Sequence, residues 1–268
     1  MKIEMDRNFD ISHKITVQSK TEYVELHTHD GYEFFLYIAG DSEYFVEGNY
    51  YKLEPFDAIV ISRNEMHRVL HWSNTVYERV VISIDRDFFK ETGCEEYEAI
   101  FMSREFEGNN KIPSKEVKES GLYDIIKAIL KYSDDGKNQD KPVVRAAVIE
   151  FLYVLNDIKN FKRSENADSR ITNIISYINE NYSKNLTVDA LAEKFFLSKN
   201  HLCRIFKKST GYTLHYYINH KRLLAVRDLC REGMAIGEAC TACGFSNYSS
   251  FYRFYVKENG AAPKCDLK

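Results

Sequence analysis

The sequence predicts an α+β protein with a β-rich N-terminal third followed by helices to the end of the chain. Three observations predict it. The first third holds aromatic and β-branched runs cut by turn residues, and from about Asp87 apolar residues recur at helical spacing. Residues 197–260 then hold one helical unit twice. The 268 residues amount to about two domains. Hydrophobic residues at 44% and charged residues at 29% exclude a disordered or fibrous chain. No run approaches the ~20 apolar residues that span a bilayer, so no membrane partner is expected. Residues 1–12 carry Glu4, Asp6 and Asp10 and no apolar h-region, so a secretory signal is not expected. Six Cys, mostly inside helical patterns, fit a reduced, cytoplasmic protein better than a disulfide framework.

Runs 44–51, 57–61 and 76–84 read as strands, with turn signals at Asp30-Gly31, Gly40-Asp41, Gly48-Asn49 and Pro55. Short strands at this spacing predict a sandwich or small barrel. Helical spacing follows at 120–133 and 142–161, where Val144, Val148, Phe151, Leu152 and Leu155 recur and Pro142 suits a first turn. Residues 134–141 read as a loop and 162–169 as a linker. Beyond it, Ile171, Ile174, Ile175, Ile178 and Tyr182 make one apolar stripe. Thr187 and Ser198 offer N-caps, and a long helix at 213–232 stops at Gly233. A short helix at 235–243, a turn at Gly244-Phe245-Ser246 and a helix at 247–258 complete the order. The domains read as 1–85, 86–163 and 164–268.

Charge divides along the same line. Asp168 to Lys268 holds 15 Lys and Arg against 9 Asp and Glu, a net of +6, while the other 167 residues carry −9. A basic C-terminal part points to a polyanionic partner.

The repeat sharpens this. Leu197 lies over Phe245 at an offset of 48. Leu202 lies over Phe251, Arg204 over Arg253, Phe206 over Tyr255, Lys208 over Lys257 and Gly211 over Gly260 at 49. Each copy is a short helix, a tight turn and a longer helix ending in a basic residue and glycine. This is the helix-turn-helix plan, whose second helix enters the DNA major groove. The intervening helix of about 20 residues spans roughly 30 Å, close to one turn of duplex at about 34 Å. It therefore sets two reading helices in successive grooves.

Residues 171–263 resemble the DNA-binding domain of the AraC/XylS family of transcription regulators. The carriers are Leu186-Thr187, Leu191-Ala192, Leu202 through Lys208 and Gly211, then Ala239, Gly244-Phe245-Ser246, Phe251, Arg253, Tyr255, Lys257, Gly260 and Pro263. Asp266 and Leu267 stand where the family has Tyr-Arg. Inward packing of Leu202, Ile205 and Phe206 turns Asn200, Cys203, Arg204 and Lys207 outward, and packing of Phe251, Phe254 and Tyr255 does the same for Tyr248, Ser249, Tyr252 and Arg253. Arg204 and Arg253 are the base readers, since Arg pairs bidentately with guanine, and Asn200 suits adenine. Lys207 and Lys208 are phosphate contacts. Cys240-x-x-Cys243 has half of a zinc-site spacing but no second pair, and reads as two small buried side chains.

His27, His29, Glu33 and His67 form a second constellation. On a strand, His27 and His29 would share a face, the Asp30-Gly31 turn would bring Glu33 near, and a strand starting about Asp57 would deliver His67 at its end. Three imidazoles and a carboxylate suit a divalent transition metal such as Zn, Fe, Ni or Mn. His27-x-His29-x3-Glu33-x6-Gly40 resembles the first motif of the cupin family, and Pro55-x-Asp57 with His67 its second. Thr21 and Asp57 replace glycines, and His71 stands at the usual Asn. The resemblance implies a cupin-like barrel. In a regulator of the AraC type it holds a small-molecule effector against these four residues and requires no cofactor. Tyr23, Phe35, Tyr37 and Trp72 are further lining candidates. A cupin metalloenzyme, a dioxygenase or isomerase with a helical appendage, is the alternative; the C-terminal repeat decides for a non-enzymatic regulator. The partners implied are duplex DNA, the effector, a second copy of the chain joined through the 86–163 helices by outward residues such as Tyr153 and Leu155, and RNA polymerase.

Overall fold

The structure is a computed structural model that describes residues 8–17, 26–102, 110–134, 141–158 and 169–263. The chain divides into two compact units between Ala167 and Asp168.

In the first unit, strands β1 (Phe9–Val17), β2 (Tyr32–Ala39), β5 (Ala58–Ile61), β7 (Val76–Ile84) and β8 (Lys111–Ile112) form an antiparallel sheet ordered β1-β7-β2-β5-β8. A second sheet holds β3 (Ser42–Val46), β4 (Asn49–Lys52) and β6 (His67–His71) in the order β4-β3-β6. The 44–51 run is thus two strands, folded at Glu47-Gly48, where both residues take positive φ (46° and 88°), the backbone of a two-residue hairpin turn.

Alternation along the larger sheet assigns its two faces. Phe35, Tyr37, Ile59, Ile61 and Tyr77 meet Tyr44, Val46, Tyr51 and Val69 of the smaller sheet in one core. Phe34, Leu36, Val60, Val80 and Ile82 point the other way, to the helices. Among the described residues the two sheets face each other as open layers, and no ladder closes them into a barrel. Gly40 has φ +136°, and a Cβ there would come 3.0 Å from the Tyr37 hydroxyl. The glycine of the first motif therefore lets the β2–β3 turn lie on two phenol rings.

Helices α1 (Arg86–Thr92), α2 (Ala99–Met102), α3 (Ser114–Glu119), α4 (Leu122–Ser133) and α5 (Pro142–Asp157) share a core with the outer face of the larger sheet. The segment expected to be a separate connection from 86 onward is packed into the first unit. Leu155 is fully buried and continues the Val144-Val148-Phe151-Leu152 stripe, whereas Tyr153 is 55% exposed. The expectation of an outward Leu155 is corrected: at 3.6 residues per turn it falls on the core face.

The second unit holds α6 (Ser169–Asn181), α7 (Val188–Lys194), α8 (Lys199–Thr210), α9 (Leu214–Arg231), α10 (Ile236–Ala242) and α11 (Tyr248–Asn259). Thr187, Ser198, Thr213 and Asn247 cap α7, α8, α9 and α11, each accepting a bond from the backbone N–H three residues on. Gly211 and Gly260 end α8 and α11 in the left-handed conformation, donating to Lys207 O and Val256 O. Cys230, Cys240 and Cys243 lie in one apolar cluster with Leu223, Val226, Phe245, Phe251 and Tyr255. Burial pushes the Cys240 thiol up to about 12 and the Cys243 thiol to about 11, so both stay protonated at neutral pH. Asp266 and Leu267 lie outside the described residues.

Candidate functional site

The two copies of the repeat fold as two helix-turn-helix units, α7–α8 and α10–α11. In each, the turn is set by a left-handed residue, Phe196 (φ 55°) and Gly244 (φ 86°). The longer helix is pinned by two buried rings or side chains one turn apart: Leu202 and Phe206 in α8, Phe251 and Tyr255 in α11. That pinning fixes which residues face out. Asn200, Cys203, Arg204, Lys207 and Lys208 are all exposed on α8, and Tyr248, Ser249, Tyr252 and Arg253 are all exposed on α11. Ile205 and Phe254 are half-buried. The guanidinium of Arg204 donates to His201 Nδ1 at 3.0 Å, which holds it against its own helix. Between the units, α9 has 18 residues and so spans about 27 Å. It grips α11 through Tyr216 Oη donating to Glu258 Oε2 (2.7 Å) and Arg227 donating to Asn259 Oδ1 (2.5 Å).

In the first unit all four residues of the second constellation converge. His27 lies on no regular strand but makes an isolated bridge to His67, with His27 N–H donating to His67 O at 3.1 Å and the reverse bond at 3.0 Å. His67 is delivered by its own strand β6, not by the end of the strand that starts near Asp57, which closes at Ile61. The His67 ring lies 4.4 Å from that of His27 and 4.8 Å from that of His29. Ligand atoms of His29, Glu33 and His67 all lie within 4.8 Å of one another.

Hydrogen bonds fix the protonation of these rings. His67 Nδ1–H donates to Glu65 O at 2.8 Å, which leaves the Nε2 lone pair buried and without a partner. Burial, with repulsion from His29 and His27, brings the His67 pKa down to about 3, so the ring is neutral. His29 faces two acceptors, Gly31 O at 3.0 Å through Nδ1 and Glu33 Oε2 at 3.0 Å through Nε2. Both nitrogens therefore donate, and the ring is an imidazolium. Burial opposes this, but the Glu33 hydrogen bond and charge outweigh it and raise the His29 pKa. Burial likewise opposes ionisation of Glu33; the His29 bond and the nearby imidazoles overcome it and bring the carboxyl down to about 2. Tyr44 Oη donates to the other carboxylate oxygen at 3.1 Å.

Asp57 is not part of this site. Its carboxylate accepts from the N–H groups of Glu54 and Ser114, both at 2.8 Å, and pairs with Lys111 Nζ at 2.6 Å. Phe35 and Tyr37 are buried on the inner face, Trp72 is half-exposed, and Tyr23 and Thr21 lie outside the described residues.

A family profile described as "Helix-turn-helix domain" matches residues 191–268. Over 243 residues the chain is 23% identical to the HTH-type transcriptional activator RhaS of Citrobacter koseri and 24% identical to that of Escherichia coli strain SE11. Each alignment covers 89% of this chain and 85% of the relative. The chain is a DNA-binding transcription regulator, similar in its helix-turn-helix part and over most of its length to regulators of the AraC type. Among solved structures, ToxT of Vibrio cholerae is 14% identical, with 96% of this chain and 98% of ToxT covered and a TM-score of 0.38.

Two features of this pair of helix-turn-helix units were not singled out from sequence. His201 is the partner of Arg204, a pairing that i, i+3 spacing on one helix could have signalled. Phe196 is 96% exposed at the first turn, where a phenylalanine reads as a core residue from composition alone.

Proposed function

We propose that α8 and α11 read two adjacent half-sites of one operator, and that a small molecule held between the two sheets sets the response. One observation carries the reading: both reading helices present every predicted contact residue on the exposed face. Arg204 and Arg253 serve as base readers, with Asn200, Cys203, Tyr248, Ser249 and Tyr252 beside them on the same faces; Lys207 and Lys208 hold phosphates. Selection of bound sequences from random duplex DNA by the full chain tests this, and the absence of any enriched sequence would overturn it.

The effector site takes in His27, His29, Glu33 and His67. The metal-free form ranks first, because protonated His29 already neutralises the buried Glu33 carboxylate. The same residues also fit a divalent transition metal, since the orphaned His67 Nε2 is a donor aimed at the other two ligands. A metal held by His29, Glu33 and His67 would supply a Lewis acid for an effector oxygen. Elemental analysis of the purified chain separates the two forms. A regulator needs only an effector that binds two conformations unequally, so this reading asks no catalysis of the site.

Assembly is through α4 and α5 as a homodimer, supported by the exposed Tyr153 beside Tyr97 (ring centroids 6.3 Å) on the helical layer. Tyr153→Glu is expected to give monomers by sedimentation at about the tens of micromolar where weak interfaces populate. An unmodified chain that is monomeric there would remove the dimer. RNA polymerase is the downstream partner and the cytoplasm the compartment. The activator names of the relatives support the former, and no described helix is long and apolar enough to cross a membrane.

A further inference from the structure

The inner face of the larger sheet carries a second polar group, four residues along β2 from Glu33. Even-numbered residues of β1 and odd-numbered residues of β7 share this face, because Ile11, Ile82 and Ile84 turn to the helices. The register sets Lys14 directly across from Arg79, and Arg79 directly across from Tyr37. Like charges opposite one another on neighbouring strands repel. Among the described residues no carboxylate relieves them: Arg79 has no hydrogen bond or ion pair there, and its Nη1 is buried without a partner. The guanidinium lies over the Tyr77 ring, 4.9 Å from its centroid. The Tyr77 hydroxyl is itself buried without a partner. The space beside Gly40 brings Tyr37 and Tyr77 together, as a Cβ there would meet the Tyr37 hydroxyl at 3.0 Å and the Tyr77 ring at 3.3 Å.

A desolvated guanidinium nitrogen and phenol hydroxyl, each with no partner among the described residues, are donors kept for an acceptor those residues do not provide. A planar guanidinium binds carboxylate or phosphate oxygens through paired N–H groups, and a phenol adds a further donor. We propose that Arg79, with Tyr77 and Lys14, is a subsite for an oxyanion group of the effector. The effector is then a small organic acid or phosphate ester, with its anionic group at Arg79 and hydroxyl or carbonyl oxygens towards Tyr44, Glu33 and His29. This rests on the effector reading above and specifies the ligand's chemistry.

The test uses thermal unfolding of the full chain in acetate, inorganic phosphate, glucuronate and glucose 6-phosphate, with chloride and glucose as controls at equal ionic strength. Oxyanions also meet the basic second unit, so the readout is the difference between the unmodified chain and Arg79→Gln. In chloride, Arg79→Gln is expected to unfold at the same or a higher temperature, because the repulsion with Lys14 is gone. In at least one oxyanion the order reverses, with about tenfold or greater loss of affinity, as for a lost charged hydrogen bond. Acetate and glucuronate against the two phosphates tell a carboxylate from a phosphate ligand. Tyr77→Phe removes only the hydroxyl oxygen and keeps the test alive if Arg79→Gln fails to fold. Equal stabilisation of both chains by every oxyanion, or none over chloride, would overturn the subsite. If the anion binds through Arg79 but leaves DNA binding unchanged, the effector reading fails while the subsite stands. If some ligand alters DNA binding equally in Arg79→Gln, the effector reading stands and the subsite fails.

Discussion

The two helix-turn-helix units have one backbone plan and two surface chemistries. Ser198 and Asn247 cap the reading helices in the same way, Leu202 and Phe251 anchor them, and Gly211 and Gly260 end them. The exposed faces then diverge. That of α8 carries Lys199, Arg204, Lys207 and Lys208, while that of α11 carries Arg253 and Lys257 beside the exposed rings of Tyr248 and Tyr252. The turns diverge as well. A Cβ on Gly244 would sit 2.5 Å from Ser183 O, so the second turn is docked on the chain that follows α6. Phe196 at the equivalent place of the first turn is exposed. Core and caps therefore specify the unit, and the solvent faces of the two copies differ.

The largest effect should separate the two turns. Gly244→Ala combines a backbone clash with an unfavourable positive φ and should destabilise the second unit by about 3 kcal/mol or more. Phe196→Gly relieves a strained φ and should change stability by no more than about 1 kcal/mol. Chemical denaturation followed by circular dichroism reads both; equal losses would mean that the turns are equivalent after all. A smaller effect should separate base readers from phosphate contacts. Arg204→Ala and Arg253→Ala should each cost about 1–3 kcal/mol of binding to the selected site, measured by fluorescence anisotropy. Lys207→Ala should weaken binding to all sequences alike and lower the salt slope by about 1. A Lys207→Ala chain with unchanged salt slope would remove Lys207 from the phosphate contacts.

Legibility from sequence followed the strength of the local signal. The limits of α9 could be read because Thr213 caps it and the apolar period is sustained between Leu214 and Cys230. The outward residues of α8 and α11 followed from the same period. The sheets were harder. Strand β6, His-Arg-Val-Leu-His, has only two apolar residues in five, and the β2 run is buried on both faces, so neither alternates clearly. The convergence of His27 with His67 is a long-range bridge that no local pattern carries. Motif spacing nonetheless named His27, His29 and Glu33, because the Asp30-Gly31 turn and the Gly40 turn sit at fixed distances from Glu33, and the second motif named His67. Arg79 was missed for the opposite reason. It belongs to no motif, and only the register shows it facing Lys14.

The claim that two helices of one chain read two adjacent half-sites is tested most directly by sequence selection with the unmodified chain, Arg204→Ala and Arg253→Ala side by side. The account predicts two preferred blocks about one helical turn apart, with each variant relaxing a base pair in a different block. A single block that both variants relax, or two blocks that neither variant changes, would contradict it.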